Sequence, residues 1–236
     1  MTIATGGRVV WVRSRAVIAV ASLVAGMACA PGARALKGTP TRATLPASVL
    51  APDPALWRFT WTYKDETFTA NGDGVLRIAP PERARLDFFL RNGMSGGYAV
   101  MIGDSIFVPG PDMVKRFLPP PPMLWAALGR LALPPSRDTI ARLDGDTLRA
   151  DLGSLNGTDA SKARGRAWRL AYVGTALARV DHIDDGRLIE WMTRRRNDAG
   201  GWDITYVHET GRRRLALAVT DISQVKGFDD AIWRRP

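Results

Sequence analysis

The chain has 236 residues, 46% of them hydrophobic, which fits one β-rich domain and excludes an intrinsically disordered protein. Lysine and arginine number 33 against 23 acidic residues; the formal net charge of +10 falls to +7 once Arg8, Arg13 and Arg15 of the N-terminus are set aside. That balance suits an anionic membrane surface or an acidic partner, and with no recognition motif in the chain it does not argue for nucleic acid.

Arg8, Arg13 and Arg15 precede an uncharged run from Ala16 to Ala28, and small residues gather at Ala28-Cys29-Ala30. That order predicts a secretion signal of bacterial type over 1–29, and the apolar run falls short of the roughly 18 residues of a spanning helix. Cys29 is the only cysteine, so it makes no internal disulfide. It resembles the lipid-modified cysteine of bacterial lipoproteins; the other reading is cleavage after Ala30 or Ala35. On both readings the protein is expected in the cell envelope, in the periplasm, with an outer-membrane anchor where Cys29 is acylated. Residues 30–54, rich in Pro, Ala, Gly and Thr, read as a flexible tether, and 55–236 as the folded domain.

From Leu56 the pattern has period two. Trp57, Phe59, Trp61 and Tyr63 alternate with Arg58, Thr60, Thr62 and Lys64, which predicts a strand with one aromatic face. A second strand spans "TFTANGDGVLRIA", where Gly72 and Gly74 suggest a bulge or sharp bend. "RARLDFFL" puts Ala84, Leu86, Phe88 and Leu90 on one face, and "YAVMIGDSIFVPG" gives two short strands joined at Gly103-Asp104. Further strands follow over "DTLRADL", "WRLAYV", "ALARVDHI", "RLIEWMT", "WDITYVHE" and "RRRLALAVTDIS", separated by glycine-containing turns. Ten or eleven antiparallel strands in a meander predict a strongly curved sheet, and the lack of intervening helices excludes a doubly wound α/β fold.

One region reads as helix: Met113–Leu118, a break at Pro119 to Pro122, then Met123–Leu131. Leu124, Leu128 and Leu131 share a face at i, i+4 and i+7, Trp125 lies beside them, and Arg130 is the only charge. A helix apolar nearly all round is buried on most sides, and the concave face of the sheet is the place for it. The four prolines would act as a rigid strut. Two readings stay open: a movable plug over a cavity, and a permanent core helix.

Paired aromatic strands, then "RLDFFLRNGMSGG", "PDMVKRFLPPPPMLWAALG" and a closing "WDITYV…RRRLALAVTDIS", taken in order, resemble the LolA/LolB lipoprotein-localisation family. The resemblance covers about Leu56 to Val225. It implies a mainly β fold, an incomplete antiparallel half-barrel with short helices over an apolar concave face. It also implies a non-enzymatic protein that binds a lipid or lipoprotein acyl chain in traffic towards the outer membrane, with a periplasmic carrier protein as a possible partner. The expected cavity residues are Trp57, Phe59, Trp61, Leu86, Phe88, Leu124, Trp125 and Leu128. The family's membrane-touching loop maps onto "RNGMSGG", with Met94 at its tip.

Enzymatic chemistry finds little support. His182 and His208 are the only histidines, both within strand patterns and without metal-ligand spacing. No nucleophile motif is present, and no metal or cofactor is expected. Arg194, Arg195 and Arg196 together with Arg212, Arg213 and Arg214 bracket the hairpin around Trp202 and would form one basic rim, facing headgroups or an acidic partner, or guarding a strand edge. A scaffold with a filled core, binding a protein partner through that rim, is the alternative to lipid binding.

Overall fold

A computed structural model describes residues 35–91, 96–109, 112–133, 139–153 and 165–234. The segments of period two become strands β1 (Thr39–Thr41), β2 (Ala55–Lys64), β3 (Thr69–Ala79), β4 (Arg83–Leu90), β5 (Gly97–Ile102) and β6 (Ser105–Phe107). Helices α1 (Asp112–Phe117) and α2 (Pro121–Leu128) follow. Then come β7 (Thr139–Asp144), β8 (Thr147–Gly153), β9 (Arg166–Val173), β10 (Ala176–Asp184), β11 (Arg187–Arg196), β12 (Trp202–His208) and β13 (Arg213–Gln224), with a terminal 3-10 turn at Asp230–Trp233.

Among the described residues thirteen strands form one antiparallel sheet in the order β1-β7-β8-β9-β10-β11-β12-β13-β2-β3-β4-β5-β6. β1 and β6 are its two edges and do not pair with each other, so among the described residues the barrel stays open. The architecture is mainly β, the curved antiparallel sheet that the alternation predicts, left open as the incomplete barrel that the resemblance implies. Two strands escape the sequence pattern: β1 lies in a proline- and threonine-rich stretch, and Arg142 and Asp144 interrupt the apolar residues of β7.

Side-chain alternation decides the two faces. Trp57, Phe59, Trp61 and Tyr63 of β2 are buried, as are Leu76 and Ile78 of β3, Ala84, Leu86 and Phe88 of β4 and Leu215, Leu217 and Val219 of β13. They join α1 and α2 in a single core on the concave side. The expected bulge at Gly72 and Gly74 is absent: β2 and β3 keep register from Ala55 opposite Ile78 to Lys64 opposite Thr69. These glycines make room instead. A Cβ on Gly72 would overlap the Phe89 carbonyl oxygen, and one on Gly74 would overlap the Phe59 ring. The register shifts fall elsewhere, at Val219/Asp221 and in β10.

The segment expected to be a tether is bound to the domain over its described part. Leu36 and Leu50 are buried. Thr39–Thr41 pair with Ala141–Leu143 at the sheet edge. Because β2 lies eight strands away from β1, residues 42–54 must cross the open side as a strap. Ser48 holds it there: its carbonyl accepts from the Leu131 amide at 2.9 Å, and its hydroxyl donates to the Tyr172 hydroxyl at 3.1 Å. Two spaced leucines in a polar segment give no periodic signal, which is why the sequence suggests a free linker.

A second, smaller cluster covers the outer face, where Trp233 of the 3-10 turn packs with Ala79 and Val100. Arg85 reaches across to donate to the Ile232 carbonyl at 3.1 Å.

Candidate functional site

The concave face is occupied by the proline-bracketed segment. α1 is fixed at its C-terminal end. Phe117 stacks on Trp61 with ring centroids 5.2 Å apart. The Arg116 guanidinium donates to both carboxylate oxygens of Asp65, at 2.7 and 3.0 Å. Burial alone would raise the Asp65 pKa, but the Thr67 and Phe68 amides, Arg116 and the Tyr63 hydroxyl hold it well below the usual carboxylate range. Burial and the bond to Asp65 push Tyr63 up to about 12.

α2 starts earlier than the proline run suggests. Pro121 and Pro122 form its first turn, where a missing amide donor costs nothing, so the stiff link shrinks to Pro119 and Pro120. It ends at Gly129, whose φ of 93° gives the left-handed cap that places the Gly129 and Arg130 amides on the Ala126 and Trp125 carbonyls. Met123, Leu124, Trp125, Ala126, Ala127 and Leu128 are all buried, with Trp125 at 0% exposure. The Trp125 indole N–H donates to the Gly103 carbonyl at 2.7 Å, tying the helix to the β5–β6 turn.

The eight residues expected to line a cavity therefore come together, as one packed cluster with the helix inside it. Open space survives at the two ends of α2. At its C-terminal end a recess of about 320 Å³ opens between the strap, Trp57, Leu128, Leu177, Arg194 and Trp202. At its N-terminal end a recess of about 500 Å³ runs between Pro119, Pro120, Leu118, Glu190, Tyr206 and His208. A third, open trough of about 560 Å³ lies on the outer face, between alternate residues such as Thr60, Thr205 and Ala218.

Each recess against α2 carries one charged side chain from the concave face of β11, Glu190 buried and Arg194 half-buried. Glu190 serves the N-terminal end: it accepts from the Tyr206 hydroxyl at 2.6 Å, and its other oxygen lies 3.0 Å from His182 Nδ1. Burial raises its pKa, and the bonds from His182 and Tyr206 more than offset that, leaving it lowered. Burial, with the Glu190 charge, pushes Tyr206 well above the ordinary phenol value. His182 is stacked on Trp168 at 4.5 Å, and the His208 ring nitrogen accepts from the Gly211 amide at 3.0 Å. Among the described residues no group of three His, Cys, Asp or Glu side chains could hold a metal ion.

Arg194 serves the C-terminal end. Its guanidinium carbon lies 3.3 Å from the Trp202 ring centroid, and that of Arg196 lies 4.1 Å from it. Burial, with repulsion from Arg196, lowers the Arg194 pKa to about 10.

This placement corrects the expected single basic rim. Arg196 pairs with Trp202 at one end of β12, and Arg213 pairs with His208 at the other, so the two runs are separated by the length of the strand, about 20 Å. Alternation also splits the first run: Arg194 turns inward, whereas Arg195 faces outward and bonds Asp203 at 3.1 Å. Arg212 pairs with Glu66 at 3.0 Å, Arg213 donates to the Arg116 carbonyl at 3.3 Å, and Arg214 lines the outer trough. Cys29 and Met94 lie outside the described residues.

An open, curved antiparallel sheet with two short helices over its concave face matches solved structures. A LolA superfamily protein from Nitrosomonas europaea superposes with a TM-score of 0.52 at 11% identity, over 80% of this chain and 93% of that one. The fold is LolA-like. A DUF1329 family protein from Desulfovibrio piger gives a TM-score of 0.43 at 10% identity, over 78% of this chain and 90% of that one. No family model matches the sequence, and no curated protein is similar to it in sequence. The LolA-like sheet thus positions the recesses at the two ends of α2.

Proposed function

We propose that this LolA-like protein is a non-enzymatic protein of the bacterial envelope that takes the acyl chain of a lipid or lipoprotein into its half-barrel, in traffic towards the outer membrane. Cys29 is its own lipid anchor and Met94 its membrane-touching loop residue. The observation that carries the reading is α2, a helix apolar on every side that occupies the concave face and opens onto a recess at its C-terminal end. Entry at Trp57 and Leu128 would let a chain advance as the helix withdraws.

The magnitudes support an exchange. An acyl chain of about 15 methylenes gains roughly 12 kcal/mol on full burial, and exposing the Met, two Leu and Trp of α2 costs about 6–12 kcal/mol. The two terms are comparable, so displacement is thermodynamically accessible without a large preformed cavity.

The second reading, a scaffold binding a protein partner, is favoured by the complete burial of Met123, Trp125 and Ala126, which leaves the present core filled. Native mass spectrometry of the full chain carrying Cys29→Ser, exported and purified without detergent, separates the two. Lipid-sized adducts, or uptake of added palmitate with faster amide exchange over 121–128, support acyl binding. A bare mass with no uptake overturns it in favour of the scaffold.

A further inference from the structure

Arg194 is the one feature of the C-terminal recess that packing does not explain. Its Nε is buried without a hydrogen-bond partner. No carboxylate or carbonyl among the described residues pairs with the side chain, whose contact is the Trp202 ring. A Cβ on Gly129 would lie 2.9 Å from Nη1, so the guanidinium is pressed between the indole and the end of α2. Arg196, on the same indole, brings a second positive charge and spends one donor on the Gly200 carbonyl at 2.6 Å. The recess they line contains one acidic side chain, Asp53, which is exposed and forms no ion pair with either arginine.

A half-buried guanidinium whose Nε is shut off from solvent without a partner is costly unless an acceptor arrives. Its planar fork matches the two oxygens of a phosphate or carboxylate, and an anion would also relieve the repulsion between the two arginines. The apolar wall of Trp57, Leu128 and Leu177 continues from the same point, so charge and hydrophobic surface adjoin.

We infer that Arg194, assisted by Arg196, forms an internal anion subsite that receives the phosphate or carboxylate head of an amphiphile whose acyl chain lies along the apolar wall. The inference rests on the acyl-binding reading and names its ligand class: anionic single-chain or phospholipid amphiphiles in preference to neutral ones. Arg194 is thereby a specificity-determining residue inside the half-barrel.

The test compares dodecyl phosphate with dodecanol, both below their micelle concentrations, on the exported full chain carrying Cys29→Ser. Dodecyl phosphate is expected to bind about tenfold tighter, and in Arg194→Gln the preference should shrink to within about twofold. A preference that survives Arg194→Gln unchanged overturns the subsite and leaves acyl binding intact. Should neither amphiphile bind, acyl binding fails, and inorganic phosphate alone decides the subsite. A saturable shift of the Arg194 Nε–H resonance on phosphate addition supports it, and an unmoved resonance overturns it.

Discussion

Arg194 lies with its guanidinium carbon 3.3 Å from the centroid of the Trp202 ring, yet no acceptor among the described residues takes its protons. The two partners therefore differ in what they contribute to stability. Trp202→Ala removes a buried indole and should cost about 3–5 kcal/mol. Arg194→Met, by contrast, removes a desolvated charge that has no counter-ion and should leave stability unchanged or higher. Urea unfolding of both variants checks the pair; an Arg194→Met protein less stable by more than about 1 kcal/mol would show a hidden structural role.

Trp125 reports whether the concave side is filled. Its ring has 0% exposure and its N–H donates to the Gly103 carbonyl at 2.7 Å. Trp125→Ala should cost about 3–5 kcal/mol, as in any packed core, and Trp125→Phe about 1–2 kcal/mol from the orphaned carbonyl. Calorimetric melting distinguishes these from a loss below about 1 kcal/mol, which would mean the indole stands in a loosely occupied space.

Glu190 sets a pH dependence. Burial raises its pKa, but the bonds from His182 and Tyr206 bring it below the ordinary value. A carboxylate depressed in the folded state adds stability above its unfolded pKa, about 4.3, and loses it as pH falls through the lower folded value. Glu190→Gln should therefore be less stable than the parent at neutral pH, by about 1–3 kcal/mol, with the gap closing below about pH 4. Chemical unfolding from pH 3 to 7 measures it, and parallel curves across that range would refute the assignment.

The strap is open to truncation. A chain beginning at residue 55 loses the burial of Leu36 and Leu50, the β1–β7 pairing and the Ser48 bonds. It should unfold at a lower denaturant concentration than a chain beginning at residue 35, by at least about 3 kcal/mol from the leucines alone. Equal midpoints would mean that residues 35–54 merely lie on the surface.

Legibility in the sequence followed the periodic signal. Trp57 to Tyr63 alternate cleanly, and β2 is where they predict. Met123 to Leu128 are apolar on all sides, and α2 is buried as that demands. Arg194 to Arg196 form an undifferentiated cationic run in sequence; only the strand register turns Arg194 inward and Arg195 out. Glu190 could not be singled out either, because its partners His182 and Tyr206 come from two neighbouring strands. Filled or hollow was the least legible property: Trp61 and Phe88 suit both lining and filling, and the choice depends on where α2 sits.

The two edge strands, Thr39–Thr41 and Ser105–Phe107, have three residues each. A closed barrel can widen only by breaking a ladder of backbone bonds along a full strand. Here the gap between the edges holds no such ladder, so a change in its width need break only the strap and helix contacts on the concave side and no strand-to-strand bonds. The same brevity leaves few unpaired amides to recruit a foreign strand. The molecule combines an opening that no backbone ladder closes with rims that offer a foreign strand little to pair with.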